Sequence, residues 1–107
     1  MSSAIKVMQP SGILDGNQAS QFRQEIAEAV QGGSEVIIVD FQDVTFMDSS
    51  GLGALVLSLK TVRSAGGKLL ICSINEQIKM LFELTDMERV FEIFNNREEL
   101  EQKIFGS

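Results

Sequence analysis

The stretch Glu35-Val36-Ile37-Ile38-Val39-Asp40-Phe41 decides the fold. Its apolar residues run on without the in-out alternation of a half-exposed strand. Such a segment reads as a strand covered on both faces, the habit of parallel sheets. Upstream, Ala19, Phe22, Ile26, Ala29 and Val30 recur at helical spacing, with Asn17 as the expected N-cap and Gly32-Gly33 as the stop. Downstream, Gln42 to Asp48 reads as a loop. A second helix follows from about Ser50 to Ala65, closed by Gly66-Gly67, and then another buried strand from Lys68 to Ser73.

The ends continue the pattern. Ile5 to Gln9 reads as a first strand ended by the turn Pro10-Ser11-Gly12, with Ile13 and Leu14 as an apolar lead-in. Asn75 caps a third helix with Ile78, Leu81 and Phe82 inward. Val90 to Phe94 forms a last strand, and Asn95 or Asn96 caps a terminal helix through Leu100 and Ile104. The order βαβαβαβα predicts one α/β domain over residues 1–107, with a mainly parallel sheet and right-handed crossovers. No internal repeat or linker interrupts it.

Composition narrows the function. The chain has 107 residues, 44% hydrophobic and 22% charged, as in an ordinary globular protein. Nine basic against fifteen acidic residues leave a formal charge of −6. That balance disfavours nucleic acid and a polybasic membrane contact, both of which need clustered Lys and Arg. The absence of histidine removes the commonest general base, the Ser-His-Asp arrangement and every His-containing zinc site. One cysteine makes no internal disulfide. Without an apolar run long enough for a signal peptide or a membrane span, the expected location is the cytoplasm. A binding role is favoured over catalysis, with no cofactor and no metal.

Partial motifs fail on inspection. Gly66-Gly67-Lys68 resembles the end of a phosphate loop, but Leu69 stands where Ser or Thr is needed and Thr61 where the first Gly belongs. Gly51-Leu52-Gly53 resembles half of a dinucleotide fingerprint, but Val56 replaces the third Gly and a loop separates it from the preceding strand. Asp40, Asp43 and Asp48 lack any calcium-loop spacing; they read as a strand end, a turn and a helix lead. Cys72 sits in an apolar strand and reads as a core residue.

The informative segment is Asp48-Ser49-Ser50-Gly51-Leu52-Gly53, ahead of a strongly apolar helix. Ser49 or Ser50 is a natural N-cap, and the free amides of the first turn make the position tolerant of added negative charge. At about 100° per residue, Leu52, Leu55, Val56, Leu59 and Val62 form the core stripe. Gly53, Ala54, Leu57 and Thr61 point elsewhere, on a face that is small or apolar where a surface helix is usually charged. Either neighbouring helices cover that face or it is a docking surface.

Here the chain resembles a known family. Phe46-Met47-Asp48-Ser49-Ser50-Gly51-Leu52-Gly53 is similar to the signature of bacterial anti-sigma factor antagonists, the STAS domain. Gly12-Ile13-Leu14-Asp15 resembles the family's G-x-L-D before its first helix, and Val36 to Asp40 its central strand. Ala65-Gly66-Gly67-Lys68-Leu69 resembles its G-G turn into the next strand. Ile78 to Leu84 with Thr85-Asp86-Met87 resembles its third helix and following turn. The likeness runs in order along nearly the whole chain.

The resemblance implies a four-turn β/α superhelix on a roughly four-stranded sheet, and a partner-switching function. A serine kinase of the histidine-kinase-like ATPase type, itself an anti-sigma factor, binds the unphosphorylated antagonist and releases its target. The kinase phosphorylates the serine after the Asp, here Ser49, and a metal-dependent serine phosphatase reverses the step. Asp48, Ser50, Gly51, Leu52, Gly53 and Leu57 become candidate partner-binding positions, with Asp15 from the G-x-L-D segment. Many members carry an additional strand ahead of the one matched by Ile5 to Gln9; only Met1 to Ala4 could supply it here. Without it, an open edge would be available for another chain, including a homodimer. Rival readings are a switch of the same fold with a non-transcriptional output, and a small-molecule or nucleotide-binding module using strand ends near Asp15, Asp40 and Asp48. An enzyme is the weakest reading, because no histidine activates Ser49.

Overall fold

The computed structural model describes residues 4–106. In chain order, β1 (Ala4–Met8) and β2 (Ser11–Leu14) lead to α1 (Gly16–Gln31). β3 (Ser34–Asp40) and β4 (Asp43–Met47) lead to α2 (Ser49–Ser64). β5 (Lys68–Cys72) is followed by α3 (Glu76–Leu84) and a 3₁₀ turn at Met87–Arg89. β6 (Glu92–Phe94) and α4 (Arg97–Phe105) complete the chain. The main sheet is parallel and four-stranded, in the order β1-β3-β5-β6.

The continuous apolar run of β3 is explained by two cores. Ile37 and Val39 belong to one, with Phe22 and Ile26 of α1, Leu55, Leu59 and Val62 of α2, and Ile78 and Phe82 of α3. Ile38 belongs to the other, with Leu70, Cys72 and Leu100 of α4. Alternation along a strand sends these residues to opposite faces. Three helices therefore cover one face of the sheet, and α4 packs on β5 and β6 on the other.

Two segments read as turn and loop are strands. Ser11–Leu14 and Asp43–Met47 pair in parallel as a separate two-stranded sheet, from Ser11 opposite Asp43 to Leu14 opposite Met47. Of their side chains only Leu14, Val44 and Met47 are buried, so the hydrophobic pattern is too sparse to announce them. Other boundaries shift slightly. The first strand ends at Met8, and the last begins at Glu92 rather than Val90. Val90 closes the 3₁₀ turn, and Phe91 is buried beside Phe82, ring centroids 5.6 Å apart. The additional strand considered for Met1 to Ala4 falls on residues 1–3, outside the described residues; Ala4 already begins β1.

Asp40 does more than end a strand. It is 1% exposed, accepts the Gln42 amide at 3.0 Å and pairs with Arg97 Nη1 at 3.4 Å, tying the start of α4 to the end of β3. Asn96 caps α4 by accepting the Glu99 amide at 2.8 Å. Gly66-Gly67 is a helix terminus, not a phosphate cradle. Gly66 has φ of +83°, and a side chain on Gly67 would run into the Glu35 carbonyl oxygen.

Candidate functional site at the paired helix starts

The N-termini of α1 and α2 lie side by side. A Cβ on Gly16 would stand 3.8 Å from Ser50. An aspartate caps each helix, which corrects both expectations. Asp15, not Asn17, caps α1, its Oδ1 accepting from the Asn17 and Gln18 amides at 3.1 and 3.2 Å. Asp48, rather than Ser49 or Ser50, caps α2, its Oδ1 accepting from the Gly51 amide at 2.9 Å. A carboxylate and a hydroxyl stood next to each other, and the positive end of the helix dipole favours the charged acceptor. The helix consequently begins at Ser49. Ser49 and Ser50 are both exposed first-turn residues, and neither hydroxyl is used for capping.

Backbone contacts fix this corner. The Asp48 amide donates to the Leu14 carbonyl at 3.4 Å. Gly51 sits under the same carbonyl, where any Cβ would overlap the Leu14 oxygen and press on Met47. Below it, α3 grips β4. Gln77 Oε1 accepts the Met47 amide at 2.9 Å, and its Nε2 donates to the Met47 carbonyl at 2.8 Å. Asn75 Nδ2 donates to the carbonyls of Val44 and Thr45, both at 3.2 Å, while its Oδ1 caps α3 as expected. Gln77 was missed: nothing in the sequence marks a half-buried helical glutamine as a strand clamp.

The second face of α2 is divided. Ala54 is buried against α1, whereas Gly53 is exposed and Leu57 is 42% exposed. Gly53 and Leu57 join Gly16, Ser20, Arg23 and Ser50 around an open recess of about 380 Å³ between the helices. Leu52 lies in the core, so it and Gly51 support this surface from beneath. Sequence reasoning also missed an exposed apolar pair: Ile13, 54% exposed, stands opposite Phe46, 45% exposed, on the β2–β4 ribbon.

The structure does not gather the acidic residues. Asp40 is occupied by Arg97, Asp43 by Gln9 at 3.0 Å and Asp48 by the Gly51 amide. Among the described residues no group of three His, Cys, Asp or Glu could hold a metal ion. Cys72 is fully buried, and burial pushes its thiol above the ordinary value of 9.0. No helix among the described residues is long and apolar enough to cross a membrane.

Comparison with known proteins now decides the family. The model of the STAS domain family matches residues 2–100. The chain belongs to the STAS domain family. This STAS domain is 28% identical over 93 residues to the anti-sigma F factor antagonist of Paenibacillus polymyxa, across 86% of the chain and 80% of the relative. It is 30% identical over 83 residues to the anti-sigma-B factor antagonist of Bacillus subtilis, across 78% of the chain and 75% of the relative. In fold it resembles the anti-sigma factor antagonist SpoIIAA in its unphosphorylated form, with a TM-score of 0.77 at 23% identity, covering 100% of this chain and 94% of that one.

Proposed function

We propose that this STAS domain is an anti-sigma factor antagonist switched by phosphorylation of Ser49. Unphosphorylated, it binds a serine kinase of the histidine-kinase-like ATPase type that doubles as an anti-sigma factor, and the kinase's target goes free. A metal-dependent serine phosphatase restores the binding form. The domain itself is not an enzyme. The observation that carries this reading is Ser49 itself, exposed at the first position of α2 with the cap supplied by Asp48. Its hydroxyl is free for transfer, and the helix does not depend on it.

The switch follows from charge. A phosphoryl group adds about −1.5 to −2 charges at neutral pH. At its own helix start it gains roughly 0.3–1 kcal/mol, so the fold is kept. Against a docked partner the same dianion is desolvated, at a cost of several kcal/mol without paired cations. About 1.4 kcal/mol is already tenfold in affinity, so the complex separates without refolding.

Incubation with the cognate kinase and ATP, followed by peptide mapping, tests the assignment. Phosphate on Ser49, absent from Ser49→Ala, is the expected result; phosphate on Ser50 alone, or on neither, overturns it.

A further inference from the structure

β1 stands at the end of the main sheet, and among the described residues its outer edge has no partner. Unpaired edges invite another strand, and a lysine at mid-edge ordinarily guards against it. Lys6 is such a lysine by position, but its surroundings differ from those of a guard. It opens into a recess of about 450 Å³ shared with Glu25 and Glu28 of α1. It forms no ion pair there; both ion pairs among the described residues belong to Arg97. On the opposite face of the strand, Ile5 is half-buried and Val7 is 37% exposed, while α4 packs over β5 and β6 instead.

We propose that β1 pairs antiparallel with β1 of a second copy, about a two-fold axis at Lys6. Directly opposed residues in an antiparallel pair share a face. Ile5 of each copy therefore meets Val7 of the other on the α4 side, and this takes Val7 out of water. On the α1 side the two Lys6 ammoniums meet near the axis. Alone they would repel. Glu25 and Glu28 from both copies surround them, so each ammonium gains carboxylates from the other chain. The two sheets join into one.

The other edge does not fit a second copy. β6 is three residues long and exposes Glu92, with no lysine in the strand to offset a second glutamate across a two-fold axis. The charge of −6 on each chain opposes association elsewhere, which favours the edge that offers a cation. A strand-edge contact of this extent belongs to the small, weak class of interfaces, below about 1,200 Å² in total. The dimer is accordingly expected to form at micromolar to near-millimolar concentration. The inference does not depend on Ser49 or its phosphorylation.

Sedimentation velocity of the 1–107 chain over that concentration range tests it. The expected result is a mass rising from one chain to two. Lys6→Glu should weaken the dimer at least about tenfold by replacing two cations with two more anions. Val7→Asp should do the same by placing a charge opposite Ile5, with Val7→Thr as the milder variant should Val7→Asp not fold. Adding Glu25→Lys and Glu28→Lys to Lys6→Glu should restore association. Circular dichroism should show the fold intact, since Lys6 is exposed. A monomer at every concentration overturns the proposal. So does a dimer indifferent to Lys6→Glu, or one lost only on Leu57→Lys.

Discussion

Gln77 binds Met47 by both of its backbone groups, accepting from the amide at 2.9 Å and donating to the carbonyl at 2.8 Å. One side chain thus substitutes for a neighbouring strand on the free side of β4, just before the turn that presents Ser49. Gln77→Ala should destabilise the domain by roughly 1–3 kcal/mol, because two partly buried backbone groups lose their partners at once. Urea titration measures the loss, and the Met47 amide should exchange with solvent markedly faster. Unchanged exchange at Met47 would show that the clamp is dispensable.

The two glycines of the signature should behave oppositely. Gly51→Ala forces a methyl into the Leu14 carbonyl and should cost about 1–3 kcal/mol. A methyl added at Gly53 would meet nothing within 4 Å, and the residue lies inside α2, so Gly53→Ala should stabilise by about 0.5–1 kcal/mol. Thermal melts of the pair decide the matter; equal effects would contradict the packing described.

The cap at Asp48 can be separated from the partner contact proposed for it. Asp48→Ala removes the acceptor for the Gly51 amide and should cost about 1 kcal/mol. Asp48→Asn keeps an acceptor and should melt within a few tenths of a kcal/mol of the parent, roughly the spread among good caps. Loss of kinase binding in the asparagine variant, at parental stability, would assign the charge itself to the partner.

Cys72 should be silent in the folded chain. It is fully buried, and its thiol is pushed above 9.0 chiefly by that burial. A disulfide reagent at neutral pH should label it only as fast as the protein opens, and quickly in denaturant. In unfolded chains the thiol loses its proton first, so stability should fall as pH rises through the ordinary thiol value. Rapid labelling of the native protein would refute its burial.

Leu57→Lys probes the recess beside Ser50. With Leu57 already 42% exposed, the melt should move little, within roughly 0.5 kcal/mol. Calorimetric titration with the kinase should show binding weakened at least about tenfold, the equivalent of 1.4 kcal/mol. Parental affinity would remove this face from the interface.

The main sheet was readable because β3 and β5 carry dense apolar runs and because glycines punctuate the helices. The ribbon of β2 and β4 was not. It buries single residues such as Leu14 and Val44 among exposed neighbours, some of them apolar like Ile13 and Phe46, and its pairing is set by chain segments far apart. The caps were misassigned for a local reason. Asp15 stands two residues before Asn17, and Asp48 directly before Ser49, so sequence offered two acceptors at each start and the dipole chose the charged one. The face of Ala54 and Leu57 was left open between covering and docking. α1 covers the side that carries Ala54 and leaves Leu57 exposed.

The β2–β4 ribbon also makes the Ser49 corner a property of the whole fold rather than of its own segment. Neither strand is long enough to persist by itself, and a helix and a strand intervene between them in the chain. The turn at Asp48 is held by the Leu14 carbonyl from the first βα unit and, through Met47, by Gln77 of α3. A nascent or partly melted molecule contains the same six-residue signature without that geometry. If Ser49 is the phosphoacceptor proposed above, an enzyme that reads it by the form of the corner would pass over unfinished and damaged copies and act on fully folded ones.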